Sequence, residues 1–190
     1  MYREASFHAD KLFPALILGS IPAAILGLSF EKIIEEKFHH PLSVIIPLCV
    51  VGLALWLVDK KFPAEKNLDH LTVRDAFIVG LAQACALVPG VSRSGATMLC
   101  GRYLGYDKNS AATFSFLLGT PAFAGAALLH LKDLIAFSHD PSVGIGILTS
   151  CMVGCLAIKF LLSFLRKFSF LPFAIYRVLL SLVLAALLFR

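Results

Sequence analysis

Nine consecutive residues, Pro89-Gly90-Val91-Ser92-Arg93-Ser94-Gly95-Ala96-Thr97, concentrate the chemistry of an anion site. Arg93 supplies a planar guanidinium whose paired N–H groups match two phosphate oxygens. Ser92 and Ser94 flank it with hydroxyl donors. Gly90 and Gly95 lack the Cβ that would hold backbone away from a ligand. If the stretch opens a helix, its first N–H groups and the positive end of the helix dipole face the same ligand, and Thr97 in the first turn adds another hydroxyl. Gln83, upstream on the side of Leu87, is placed to bring an amide towards the loop. A lone Arg would read more simply as a kinked helix with a snorkelling side chain. Arg, two Ser, Thr, Pro and two Gly within nine residues favour the phosphate-binding reading.

The elements that hold this loop are apolar. The 190 residues are 58% hydrophobic and 15% charged, with mean hydropathy +0.84, against about a quarter charged in soluble domains. Five runs are long enough for membrane spans, at about 20 residues each: 12–30, 42–58, 110–131, 141–158 and 171–189. The stretch 73–104 differs, being apolar at both ends and interrupted by the motif. It reads as two half-helices, Val73 to Val88 and Ala96 to Leu104, forming a re-entrant hairpin; irregular backbone at membrane depth requires surrounding protein or a water-filled cavity. Charge counting agrees. A re-entrant hairpin puts eleven Lys and Arg on one side and four on the other, with Arg93 and Arg177 set aside, whereas a crossing segment gives eight and seven. The positive-inside rule favours the first and turns the hairpin mouth to the cytoplasm. The expected fold is therefore all-α, a single polytopic membrane domain over 1–190.

Other residues sharpen the functional classes. The net charge of +5 is dispersed between apolar runs, unlike the basic stripe of a nucleic-acid binder. None of the twelve acidic residues falls within the five spans or the motif, which disfavours a cation pump or antiporter. The five cysteines read as small hydrophobes, Cys151 and Cys155 fall short of a metal site, and His39 and His40 read as a solvated pair. Gly101-x-x-x-Gly105, Gly119, Ala122, Gly125 and Ala126 favour close helix contact. Arg177, about 10 Å along the last span at 1.5 Å per residue, either snorkels or supports the site.

The chain resembles the bacterial undecaprenyl-diphosphate phosphatases, the bacitracin-resistance proteins. Pro89–Thr97 is similar to their P-G-x-S-R-S-x-x-T signature, and Gly80-Leu-Ala-Gln-Ala-Cys-Ala-Leu-Val, Phe114-Ser-Phe-Leu-Leu-Gly-Thr-Pro121 and Pro172-Phe-Ala-Ile-Tyr-Arg177 agree with the surroundings. The resemblance implies an inner-membrane hydrolase that converts undecaprenyl diphosphate to the monophosphate carrier of peptidoglycan synthesis, conferring bacitracin resistance. It also implies an inverted repeat with two re-entrant hairpins, and dependence on a divalent cation such as Mg2+. Arg93 would hold the diphosphate and stabilise the transferring phosphoryl group, with Ser92, Ser94 and Thr97 on its oxygens.

One signature has no counterpart here: the acidic E-x-x-x-E-type segment, Ser-rich loop and His of the earlier hairpin. The chain is thus expected to match the C-terminal two-thirds of the family, to turn over poorly alone, and to gain activity when the N-terminal hairpin is supplied, fused or as a separate chain; its expected partners are the polyprenyl diphosphate lipid, the bilayer, and a second copy in a homo-oligomer or a complementing N-terminal segment. The competing functions are a transporter or flippase of an anionic lipid, an inactive fragment of the phosphatase, and a nonenzymatic membrane partner.

Overall fold

The computed structural model describes residues 9–37, 40–136 and 140–189. Arg3, Arg190 and His39, used in the charge and histidine readings, lie outside the described residues, as do the remaining residues of 1–8. Because apolar surroundings offer the backbone no water, each long apolar run closes its hydrogen bonds internally as a helix. These are α1 (Ala9–Lys37), α2 (Leu42–Lys61), α5 (Lys108–Leu129), α7 (Pro141–Lys167) and α8 (Leu171–Leu188), all long and apolar enough to cross a membrane. Between them lie α3 (Val73–Cys85), α4 (Arg93–Tyr103) and the short α6 (Leu131–Ala136); no strand occurs among the described residues. The protein is an all-α multi-pass membrane protein.

Several boundaries differ from the sequence reading: α1 runs on past Phe30 to Lys37 and α2 past Val58 to Lys61. The fifth helix of the chain stops at Leu129, and α6 follows as a separate turn; α7 continues through Phe160 and Phe164 to Lys167 instead of stopping near Ile158. Its last basic residues, Arg166 and Lys167, suit the negative end of the helix dipole.

The hairpin is α3 and α4. At 1.5 Å per residue they reach about 20 and 16 Å, short of a hydrocarbon core of about 30 Å. Their outer ends meet. Tyr106, just past α4, donates its hydroxyl to Asp75 Oδ2 in the first turn of α3 at 2.7 Å. Lys66 and Tyr106 form a short parallel bridge, with Glu65 and Lys66 N–H donating to Gly105 O and Asp107 N–H to Lys66 O.

Arg102, 3% exposed, completes this base. It donates from Nε to Asp59 Oδ1 at 3.3 Å and from Nη1 to Tyr106 O at 2.6 Å, while Asp59 Oδ2 accepts the N–H of Phe170 at 3.1 Å. One carboxylate thus joins the end of α2 to the end of α4 and the start of α8. Leu55, Met98, Ala112, Leu165 and Phe170 pack directly above it.

The glycines divide by role. Gly105 has φ +90 and nothing within 4 Å of a notional Cβ. It ends α4 through Gly105 N–H to Arg102 O and Tyr106 N–H to Gly101 O, a left-handed cap and not the helix contact its spacing suggested. Gly101 does make that contact, against Ala111 of α5, whereas Gly125 touches nothing. The closest approach was missed from sequence: Gly19 of α1 and Gly80 of α3 meet backbone to backbone, and a Cβ at Gly80 would lie 3.0 Å from Gly19 Cα.

Candidate functional site

The motif opens α4 three residues earlier than the sequence reading placed it, at Arg93 instead of Ala96. The first half-helix ends at Cys85, residues 86–90 turn, and Ser92 is the N-cap of a helix that begins at Arg93. Ser92 Oγ accepts the Gly95 N–H at 3.2 Å and lies 3.4 Å from Ser94 Oγ. Arg93 and Ser94 are therefore first-turn residues, and their N–H groups have no acceptor within the helix.

Gly90, at φ +87, serves the fold: a Cβ there would strike Val44 of α2, whose Cα would be 2.7 Å away. Val44 is fifteen residues from Asp59, so the turn sits about 22 Å above the base along α2. Gly95 is different. A Cβ there would land on the guanidinium of Arg177, 2.7 Å from Nη2 and 2.9 Å from Cζ. Arg177 reaches this point because α8 packs closely on α2, where a Cβ at Gly52 would be 3.0 Å from Arg177 Cβ. The Arg177 side chain is turned onto α4.

Arg93 points elsewhere. Its guanidinium lies over the ring of Phe123 on α5, 4.4 Å from the centroid, and about 4.0 Å from a notional Cβ on Gly119. The first turn of α4 thus carries one guanidinium against Gly95 and another, more exposed, on the α5 side. Neither forms a salt bridge among the described residues, and Arg177 Nη1 is buried with no hydrogen-bond partner.

Thr97 is 1% exposed, and its hydroxyl is engaged with Arg93 O, Ser94 O and, at 2.6 Å, Ser115 Oγ. It joins α4 to α5 in this structure and is not turned to the loop. Gln83 is buried on α3 with neither amide atom partnered, and it makes no hydrogen bond to the loop. The site residues therefore separate: Ser92, Arg93, Ser94, Gly95 and Arg177 gather at the start of α4, while Gly90 and Thr97 fix that start against α2 and α5.

A divalent cation does not fit the described residues. No three of His, Cys, Asp and Glu come together among them, whereas Mg2+ in phosphate chemistry is held by one or two carboxylates as well as by the phosphates. The carboxylates at the base are committed: Asp59 to Arg102 and Phe170, Asp75 to Tyr106 and Lys66, and Asp107 to the first N–H groups of α5. What remains at α4 is wholly cationic, two guanidinium groups and a helix N-terminus, which suits a multiply charged phosphate.

Comparison with known proteins agrees with that chemistry. A family model described as "Bacitracin resistance protein BacA" matches residues 2–183. The chain is 46% identical over 176 residues to an undecaprenyl-diphosphatase of Moorella thermoacetica, covering 93% of this chain and 67% of the relative. It is 44% identical over 186 residues to one from Thermodesulfovibrio yellowstonii (96% and 72%), and 40% over 185 to one from Pelotomaculum thermopropionicum (97% and 70%). With the family model matching nearly the whole chain, the chain belongs to the bacitracin resistance protein BacA family.

Proposed function

We propose that this chain carries out the reaction for which its relatives are named, hydrolysis of undecaprenyl diphosphate to undecaprenyl phosphate and inorganic phosphate, in the bacterial inner membrane. The observation that carries the reading is Arg177, a guanidinium with a buried, unpartnered Nη1 pressed against the N-terminal turn of α4. Like charges gathered without an anion are unfavourable, and a diphosphate resolves the conflict.

In the reaction, water attacks the terminal phosphorus, the bridging P–O bond breaks, and the monophosphate leaves with the electron pair. Phosphoryl transfer depends chiefly on positioning and on stabilising charge over the phosphoryl oxygens. Arg177 and the N–H groups of Arg93 and Ser94 supply that charge stabilisation from the α4 side, and Arg93, stacked on Phe123, supplies it from the α5 side. Ser94 adds a hydroxyl donor, while Ser92 mainly holds the helix start in place. A polyprenyl tail suits a chain whose helices expose long apolar faces to the bilayer.

The test is phosphate release from undecaprenyl diphosphate by the purified chain in nanodiscs, alongside a lipid-translocation assay. Release above the uncatalysed rate that falls in Arg93→Ala and Arg177→Ala supports the reading. Translocation without release would replace it with a flippase.

A further inference from the structure

The basic end of the molecule holds a second cationic pocket, remote from the start of α4. A cavity of about 700 Å³ lies where α2 ends, α5 begins, α7 ends and α8 begins, with Trp56, Lys60, Lys108, Asn109 and Arg166 in its wall. Two carboxylates also line it, but both are engaged: Asp59 by Arg102 and the Phe170 N–H, Asp107 by the N–H groups of Asn109 and Ser110. The cations are less committed. Lys60 lies over the Trp56 ring at 5.5 Å, Lys108 Nζ donates to Phe168 O at 2.9 Å, and Arg166 is exposed with no ion pair among the described residues. Asn109 Oδ1 is buried with no partner, an acceptor suited to a glycerol hydroxyl and not to the phosphate. Three cations thus converge on one space, with an unpartnered acceptor beside them.

The flanks of that space are apolar. Leu165 and Leu171 line it, and Leu165 is the one residue of α7 buried within the described structure; Leu161, Leu162 and Phe164 pack partly beside it, and most of the helix before them is open to the bilayer. Trp56 lies one turn in from Lys60 and Lys61, the position an aromatic takes at a membrane surface. A soluble anion would use the cations but not the apolar wall, whereas a lipid uses both.

We propose that this cavity binds the phosphate headgroup of an anionic phospholipid from the leaflet facing the basic end, independently of the reaction proposed above. Lys60, Lys108 and Arg166 meet the phosphate, Trp56 and Asn109 lie at the glycerol level, and the acyl chains run along the exposed face of α7. Juxtamembrane cations contribute enough that each lost charge lowers lipid affinity about fivefold.

Native mass spectrometry of the purified chain, titrated with phosphatidylglycerol or phosphatidylcholine, tests this. Phosphatidylglycerol is expected to be retained in preference, and the double variant Lys60→Gln/Arg166→Gln to lose about 25-fold in its retention. Both side chains are exposed, so both variants fold. Arg74→Gln, at the same end but outside the cavity, should bind as the parent does. Equal retention of the two lipids, or an equal loss in Arg74→Gln, would overturn the proposal in favour of diffuse surface attraction. Displacement of the lipid by equimolar inorganic phosphate would overturn it in favour of a soluble ligand.

Discussion

The guanidinium of Arg177 lies where the Cβ of residue 95 would be, and only a glycine at that position admits it. The relationship is set by register. Asp59, Arg102 and Phe170 are joined at the base of the hairpin, and Gly52, Gly95 and Arg177, each seven residues from one of them, meet again about 10 Å further in, two helical turns along all three helices. The ion pair at the base therefore sets where Arg177 meets the start of α4.

Gly95→Ala should separate the site from the fold. Alanine is the better helix former by about 1 kcal/mol, and the group it strikes is the far end of a flexible side chain. The variant should keep or raise its melting temperature. Displacing Arg177 removes a charged donor worth about 1.5–3 kcal/mol, so kcat/KM should fall by roughly one to two orders of magnitude. A fully active Gly95→Ala enzyme would show that Arg177 does not touch the substrate.

Asp59→Asn should act on both. It leaves the buried Arg102 guanidinium without its carboxylate, a change that costs about 3–5 kcal/mol in buried pairs. Thermal unfolding in detergent should shift down clearly, and activity should fall with it as the two-turn register loosens.

Tyr106 and Asp75 give a pH signature. Burial first, and then the bond to the Asp75 carboxylate, push the Tyr106 hydroxyl well above the ordinary tyrosine value. A group raised on folding contributes stability that is complete below its unfolded value, about 10, and is lost as pH rises beyond it. Tyr106→Phe should thus cost about 1–3 kcal/mol at pH 7. Stability measured from pH 9 to 11 should decline less steeply in the variant than in the parent.

Single cysteines at Lys66 and Lys108, in a background without the native thiols, should label from the same side of the membrane, because segments 65–66 and 105–107 are hydrogen-bonded to each other. Labelling from opposite sides would contradict the hairpin.

The five spans and the interrupted segment were legible because each depends on local composition alone: an apolar run of sufficient length must be helical, and Pro89-Gly90 cannot continue one. The break at the motif and the helix that follows it were legible for the same reason. The motif's internal division was not. Ser92 was read as a ligand donor when its spacing to Gly95 is also that of an N-cap, and Thr97 faces Ser115, eighteen residues away. Gly90 and Gly95 look alike in sequence but answer to Val44 and Arg177, contacts fixed by how α2 and α8 pack. Whether Arg177 snorkelled or turned inward likewise depended on the Gly52 contact, which no local pattern encodes.

The central claim, that Arg177 and the start of α4 form an anion site and not a structural contact, is tested most directly by thermal unfolding of the parent chain and Arg177→Gln with and without inorganic pyrophosphate. A buried charge without a partner is a cost, so the account predicts that Arg177→Gln melts higher than the parent in the absence of ligand, by roughly 2–4 °C for each kcal/mol recovered. Pyrophosphate should stabilise the parent, by about 2.7 kcal/mol at a hundredfold excess over its dissociation constant, and should leave the variant nearly unmoved. A variant that melts lower than the parent and still responds fully to pyrophosphate would contradict the account.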